Sequence, residues 1–578
     1  MENIKLKPQE IFLEYQNANE YKNSMGDRGI YEQSKMNERF FAGDQWHGVQ
    51  AGNTRPLVRR NIIKRIGEYK ISAICASPIT VNYSCEGVPT GENESNVLSD
   101  IPTGSLTNEE INSVMRALSL YESSVAERVK LNEKTVDMVR ETYISGTSFL
   151  YTYWDERVET GLFADENKTS KITGDINCQV LNVVNVVLGD PNLNDIQDQP
   201  YIIISQRKPV WQVKQECKLN NGKDIQNIKS DENTGINPGD RGENEPKDNS
   251  RVTVLTKFYK VFENGSVRVK AIRVTENAVI KPEWDLNIRL YPLAKYTWMP
   301  RFSSGYGDSE ITYLIPNQIA INRALSAEVW SLMITGMPKI IVNRDIVGQA
   351  VTNDPGQIIN IAAGEDYDVH RALQYVNPPQ FAYQMNGIVN DIASNTLSDS
   401  GANDAALGDL RPDNASAVIA IREAALAPMQ IYQARFYSCI EDIARIWAEF
   451  WVNMYGNRPL KIQDKTGVRY MPFDATRYKN LVINAKVDVG ASTLWGESVV
   501  LSSLDNLLKS GIITPLQYLE RIPKGTIPDI TGLIDQLKAA NENDDILKDF
   551  MEQYPEEFEM FSKLTQAEKT SILQEIGG

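Results

Sequence analysis

The chain has 578 residues, of which 42% are hydrophobic and 24% charged, and its formal net charge is −16. That length holds roughly three or four ordinary domains, or one elongated subunit built in several layers, with ample apolar material for a core. The negative balance argues against a protein that grips nucleic acid tightly through its phosphates, but does not exclude one that surrounds DNA and lets it slide.

Residues 1–46 read as a helix pair that stops at Gly43, with Arg39, Phe40 and Phe41 in its last turn. A helix is expected from Asn61, with Ile62, Ile66, Tyr69 and Ala73 on one face and Pro78 past its end. Arg55, Arg59, Arg60, Lys64, Arg65 and Lys70 make a basic cluster around its start. Solvated charge paired with neighbours is the plain reading of that cluster; contact with nucleic acid or an acidic partner is the sharper one. Residues 86–108 read as a polar loop, and one long helix is expected from there to about Ser145, stopped by Gly146. Thr147–Asp155 (TSFLYTYWD) has the Thr and aromatic content of a strand, and further strands are expected at 176–188 and 200–207. The stretch 218–250 has no aromatic residue and is rich in Asn, Asp, Gly, Lys and Glu, the composition of a mobile insertion. Val252–Phe262 and Val267–Val274 flank Asn264-Gly265, the preferred pair for a tight type I′ hairpin turn. A β-rich layer is therefore expected over 147–300.

After 305 helical patterns take over. Pro316 opens a run of Ile319, Asn322, Leu325, Val329 and Met333 that Gly336 and Pro338 close. A helix of about 20 residues reaches about 30 Å. Residues 337–377 read as a small mixed unit with a strand at Pro338–Asn343. After Pro378-Pro379 a second helix carries Met385, Ile388 and Ile392 on one face, and Asp399–Asp413 (DSGANDAALGDLRPD) is a small, acidic loop. Val418, Ile421, Ala425, Pro428, Tyr432, Phe436, Cys439, Ile443, Ile446 and Phe450 then recur at steps of three and four. They predict a long helix with a kink at Pro428. Strand character returns at 480–489, and the tail from 498 is helical. In it, Thr514-Pro515-Leu516-Gln517 spells a capping box with proline at the first helical position. From Glu497 to Gly578 there are 15 acidic and 7 basic residues, a net of −8 and half of the chain's excess. A solvated helical surface accounts for that; an acidic rim that repels DNA or recruits a basic partner is the functional alternative.

Signals for catalysis are weak. No G-x-x-x-x-G-K-[ST] loop is present, so an ATP-driven motor is not expected. No H-E-x-x-H occurs, and His47 and His370 are the only histidines, which leaves little for His-based nucleophilic or zinc chemistry. Asp190-Pro191-Asn192-Leu193-Asn194 begins like a calcium loop, but Asp195 stands where glycine is needed and Tyr201 where glutamate is needed. Phe302–Asp308 (FSSGYGD) is not G-x-S-x-G and reads as a turn. No enzymatic activity, cofactor or metal is expected. The cysteines at 75, 85, 178, 217 and 439 form no C-x-x-C pair and are odd in number, so unpaired thiols in a reducing compartment are expected. The start, MENIKLKPQE, lacks the apolar stretch of a signal peptide, and no apolar run of about 18 residues predicts a membrane span.

Three segments carry a resemblance. The first is Arg39-Phe40-Phe41-Ala42-Gly43-Asp44-Gln45-Trp46, followed by Pro56 and Asn61. The second runs from Tyr291-Pro292 through Trp298 to Tyr306-Gly307-Asp308-Ser309, Gln318, Asn322 and Pro338-Lys339. The third is Ser400-Gly401, Ala406-Leu407-Gly408 and Asn414-Ala415-Ser416, with Asp190-Pro191 and Gln199-Pro200-Tyr201 as a weaker fourth. In their order and spacing over 39–455 they resemble the portal proteins of tailed bacteriophages (Caudoviricetes). The match rests on that order, since each motif alone is of low specificity.

The resemblance implies an α+β, elongated portal-type subunit with a β-rich wing, two stem helices flanking a small mixed α/β clip, a long kinked wing helix and a helical crown. On that plan 1–305 is the first part of the wing, 306–336 the first stem helix, 337–378 the clip and 379–398 the second stem helix. Residues 399–413 become the tunnel loop, 414–496 the long helix and wing closure, and 497–578 the acidic crown. Gln318, Asn322 and Arg323 fall in the stem. Asp399, Asp404, Leu407, Asp409 and Arg411 face the DNA channel, with Leu407 as the bulky tip. The implied function is a ring-shaped channel at one capsid vertex through which the terminase packages DNA and DNA later leaves. The implied partners are further copies of the chain in a dodecamer, double-stranded DNA, the large terminase subunit, the head–tail adaptor, and the major capsid and scaffold proteins, with no membrane. The implied location is the virion, and the host cytoplasm during assembly. A net-negative collar agrees with passage of a polyanion, because it avoids a static phosphate clamp. Three other readings stay open: a different virion ring or connector, usually much shorter; a metal-dependent nuclease, which needs clustered carboxylates and a lysine near a strand end; and a non-viral interaction scaffold.

Overall fold

The computed structural model describes residues 6–49, 55–76, 79–85, 108–163, 171–231, 251–263, 265–302, 304–336, 339–343, 347, 358, 360, 373–376, 382–402, 427–464, 467–479, 481–488 and 503–522. The chain divides into two units, one of residues 1–75, 81–460 and 470–487, the other of 76–80, 461–469 and 488–578. Helix and strand are mixed in an α+β arrangement, and both larger sheets are antiparallel.

The first unit opens with α1 (Pro8–Ser24) and α2 (Gly29–Ala42). Gly43, in the left-handed region at φ 94°, ends α2 as expected. α3 (Ile62–Ile74) starts where Asn61 predicts. Its buried stripe is Ile62, Ile63, Ile66, Gly67, Lys70, Ile71 and Ile74, so the expected face is turned: Tyr69 and Ala73 are only half-buried. The single helix expected before Gly146 is two, α4 (Asn108–Arg128) and α5 (Leu131–Ser145). Lys130, in a left-handed conformation at φ 54°, separates them.

β1 (Thr80–Cys85) pairs with a late strand, described below. β2 (Thr147–Phe163) runs well past the expected Asp155, between β3 (Lys171–Asn182) and β9 (Leu293–Thr297). The second sheet is a five-stranded meander of β4 (Val186–Leu188), β5 (Tyr201–Pro209), β6 (Arg251–Glu263), β7 (Ser266–Thr275) and β8 (Ala278–Asp285). The β6–β7 hairpin closes on the Glu263–Ser266 pair with Gly265 at φ 79°, as the Asn-Gly signal predicts. On one face of the meander α1 packs Ile11, Phe12 and Tyr15 against Val187, Ile203, Leu255 and Ile272. α6 (Val210–Leu219), which the sequence reading did not assign, packs Val213 and Cys217 against Val252, Val254 and Ile280.

The mobile insertion expected at 218–250 is corrected in its first part. Ile228 is buried in that small core, Lys223 bridges Val279, and Asp231 pairs with Arg207 at 3.1 Å in a largely buried contact. Most of the residues from 218 to 231 are nevertheless exposed, which is why their composition is polar. Residues 232–250 lie outside the described residues, as do 86–107.

FSSGYGD is a hairpin and not a simple turn: β10 (Met299–Arg301) pairs with β11 (Ser304–Asp308). α7 (Glu310–Gly336) begins six residues before Pro316. The Ser309 hydroxyl accepts the Ile311 amide at 3.1 Å and caps it. Pro316 thus sits inside the helix rather than at its start. Beyond α7, β12 (Lys339–Val342) pairs with β13 (Leu373–Val376), and α8 (Ala382–Asp399) packs back on α7. The buried stripe of α8 is Val389, Ala393, Thr396 and Leu397; Ile388, expected inside, is exposed.

Pro428 lies in a one-turn 3-10 segment, Ala427–Met429, from which α9 (Gln430–Met454) continues. Residues 414–426, the first arm of the expected kink, lie outside the described residues. Phe436, Cys439, Ile443, Ile446 and Phe450 are all buried, as their spacing predicts. β14 (Asn457–Asp464) and β15 (Gly467–Asp474) form a ribbon that was not expected, and β16 (Ile483–Asp488) is the partner of β1. In the second unit, residues 503–509 are helical and α10 (Pro515–Arg521) carries the expected capping box. All five cysteines are unpaired.

Candidate functional site

Two of the resembling segments meet at the base of α7. Gln318, Asn322 and Ser326 follow one another at four-residue steps and so share one helix face. That face holds the extended chain leading into α3. Gln318 Oε1 accepts the Ile62 amide at 2.9 Å, and its Nε2 donates to the Arg60 carbonyl at 2.6 Å and to Asn322 Oδ1 at 3.0 Å. Asn322 Oδ1 accepts the Arg60 amide at 3.1 Å, and Ser326 Oγ accepts the Val58 amide at 3.0 Å. Asn322 Nδ2 reaches Gln45 Oε1 at 2.6 Å, and Gln45 Nε2 returns to the Phe40 carbonyl at 3.1 Å. Trp46 donates to the Val58 carbonyl at 3.1 Å. Asn61 accepts the Lys64 amide at 3.0 Å as the cap of α3 and donates to the Phe41 carbonyl at 3.0 Å. Gln318 and Asn322 are 1% and 2% exposed. A buried polar network satisfied this fully fixes one geometry.

A charged hub lies beside this brace. Lys70 Nζ, 2% exposed as a residue, pairs with Glu310 Oε1 at 2.6 Å. Trp298 Nε1 donates to Glu310 Oε2 at 3.2 Å, and Trp298 stacks on Tyr432 with centroids 4.5 Å apart. The expectation that Lys70 belongs to a solvated basic cluster is corrected. Its position four residues after Ile66 and seven after Ile63, on the apolar stripe, is the signal that marks it as buried. The weaker fourth segment is also drawn in: Gln199 bonds the Asp190 amide at 2.9 Å, and the Tyr291 hydroxyl donates to the Gln199 carbonyl at 2.9 Å.

Away from the brace, α7 and α8 are joined by Asn317 Nδ2 donating to Thr396 Oγ1 at 3.2 Å, with the β12–β13 ribbon between them in sequence. Toward that ribbon the apolar side chains lie open: Met333 is 50% exposed, Ile334 42%, Ile341 59% and Ile388 56%. Arg323 is exposed on α7, whereas Gln318 and Asn322 point into the brace and position the helix. Asp399 is the exposed last residue of α8. Asp404, Leu407, Asp409 and Arg411 lie outside the described residues, as does most of 337–378.

Among the described residues no group of three or more His, Cys, Asp and Glu is placed to hold a metal ion. None of their helices is long and apolar enough to cross a membrane. No family model matches the chain, and no curated protein matches it.

Proposed function

We propose that this chain is a subunit of a ring-shaped DNA channel of the tailed-phage portal type. The observation that carries the reading is the helix–ribbon–helix excursion of α7, β12–β13 and α8, on which Met333, Ile334, Ile341 and Ile388 are exposed. Exposed apolar side chains of this kind favour association, and a head-to-tail contact whose rotation closes generates a ring. α7 and α8 correspond to the stem and the ribbon to the edge of the clip. The brace of Gln45, Asn61, Gln318 and Asn322 joins residues from two of the resembling segments, and on this reading it holds the stem to the body of the subunit. The acidic balance of −16 suits a lining that DNA passes without being held. On this reading the terminase and the head–tail adaptor dock on the ring, and the chain itself performs no catalysis.

Negative-stain electron microscopy with native mass determination tests this. Rings of about twelve subunits with a central channel are the expected result. A stable monomer of 65.0 kDa at high concentration overturns it.

A further inference from the structure

Between Asp44 and Glu68 the chain has no aspartate or glutamate, but it has Arg55, Arg59, Arg60, Lys64 and Arg65. All five are exposed, and so is Arg323, next to Asn322 on α7. The segment is a strap laid along α7. The Val58, Arg60 and Ile62 amides donate to Ser326, Asn322 and Gln318 in turn. Two residues of extended chain advance about 6.6 Å and four residues of helix about 6 Å, so every second amide meets the next turn of α7. The strap's backbone is thereby fixed beneath its cations. Few carboxylates answer these charges. Lys64 pairs with Glu68 at 3.5 Å with both side chains more than half exposed, and such a pair contributes little. Asp44 lies against His47 at 3.5 Å, and Glu328, past Ser326 on α7, is half-buried. Among the described residues Arg55, Arg59, Arg60 and Arg323 make no ion pair; Arg59 donates to the Gly43 carbonyl at 2.8 Å. Local folding does not account for the cations either. Lys64 and Arg65 are the third and fourth residues of α3, whose first turn has no acid. A helix N-terminus carries partial positive charge, so cations there work against the helix, and an anion lying outside them relieves the repulsion.

We propose that the strap touches the phosphate backbone of double-stranded DNA without regard to sequence. Guanidinium groups match phosphate oxygens, and contacts of this kind position a duplex rather than read it. An acidic protein partner fits less well, because protein interfaces are anchored by apolar and aromatic side chains. Leu57, 39% exposed, is the one large apolar side chain exposed between Arg55 and Arg65. The chain's overall charge of −16 does not forbid the contact, since salt screens charges more than about 8–10 Å away. The result is a weak, salt-sensitive hold that suits passage better than a clamp does. The proposal deepens the channel reading by naming where the duplex is touched, yet it needs one subunit only.

Fluorescence anisotropy of a short labelled duplex with the full chain, in potassium chloride from about 50 to 200 mM, is the test. Saturable binding is expected, with an affinity that falls steeply with salt and is the same for a second duplex of different sequence. Arg55→Gln combined with Arg60→Gln should weaken binding about tenfold or more at the lowest salt and lower the log–log salt slope by about two. Arg323→Gln, on a separate element, should lower it by about one, and Lys218→Gln, exposed on α6, should leave it unchanged. Thermal melts that match the parent's show that each variant is folded. No binding by the parent, or parental affinity and slope in both arginine variants, overturns the proposal. Poly-glutamate that binds the parent more tightly than the duplex, and is lost in the same variants, names an acidic polypeptide instead and also overturns it. Electron microscopy of the variants reports ring formation separately, so failure of this contact is distinguishable from failure of the channel reading.

Discussion

Gln318 serves four groups with one side chain: the Ile62 and Ile63 amides, the Arg60 carbonyl and Asn322. The amides belong to the first turn of α3, where no intrahelical partner exists. Gln318→Leu leaves them buried and unpaired, at about 1–3 kcal/mol each. A loss of about 2–4 kcal/mol is expected, read as a lower urea midpoint with unchanged slope. Glu122 works in the opposite sense. It is buried without an ion pair among the described residues, and burial pushes its carboxyl up to about 7 from an ordinary 4.5. The folded state keeps this proton to about pH 7 while the unfolded chain releases it near 4.5, so Glu122 subtracts stability as pH rises through that window. Glu122→Gln is therefore expected to stabilise the protein at pH 8 by up to about 3 kcal/mol and to do little below pH 4.5. Thermal melts of both proteins across pH check this; a difference that does not change with pH would rule the account out.

A close backbone approach fixes the joint between α5 and β2. Gly146, between α5 and β2, has φ 86°, and a Cβ there would lie 2.4 Å from the Gly307 carbonyl oxygen on β11. Gly161 in β2 has a similar φ of 72° but open space around it. Alanine at both positions separates backbone strain from crowding. Gly161→Ala is expected to cost about 1 kcal/mol and Gly146→Ala about 3 kcal/mol or more, by chemical denaturation. Equal losses would mean that the crossing with β11 is not tight. α1 is fastened in a related way. Lys22 is fully buried and donates to the carbonyls of Val183 at 2.8 Å and Val186 at 2.5 Å, and Lys257 pairs with Glu14 at 2.6 Å. Burial pulls Lys22 down to about 7, yet its three protons have carbonyls to hold them.

At the scale of the whole molecule, the open apolar end of α7, β12 and α8 is what the ring reading must account for. Met333→Glu combined with Ile341→Glu places charge on exposed positions and is expected to leave the subunit folded. The same pair is expected to abolish higher assembly, because an unpaired charge in an apolar contact costs several kcal/mol. Sedimentation velocity of the variant beside the parent decides it; rings formed equally well by both would remove this face from the interface.

The sequence by itself determined what depends on neighbours along the chain. Gly43 and Asn61 as helix ends, the Asn264-Gly265 hairpin, the stripe Phe436–Phe450 and the Thr514 capping box are all local chemistry, and each was legible. The split at Lys130 was not, because no glycine or proline marks it and a lysine rarely takes the left-handed conformation. Nor was the burial of Lys70, whose partner Glu310 lies 240 residues away. The sequence named Gln45, Asn61, Gln318 and Asn322 as a pattern in one line; only the tertiary structure showed Asn322 bonded to both Gln318 and Gln45, and Gln45 and Asn61 both bonded to the Phe40 carbonyl. Long-range pairs are fixed by packing, in which a polar side chain is buried only if a partner arrives from elsewhere in the chain, and no spacing along the sequence records that arrival.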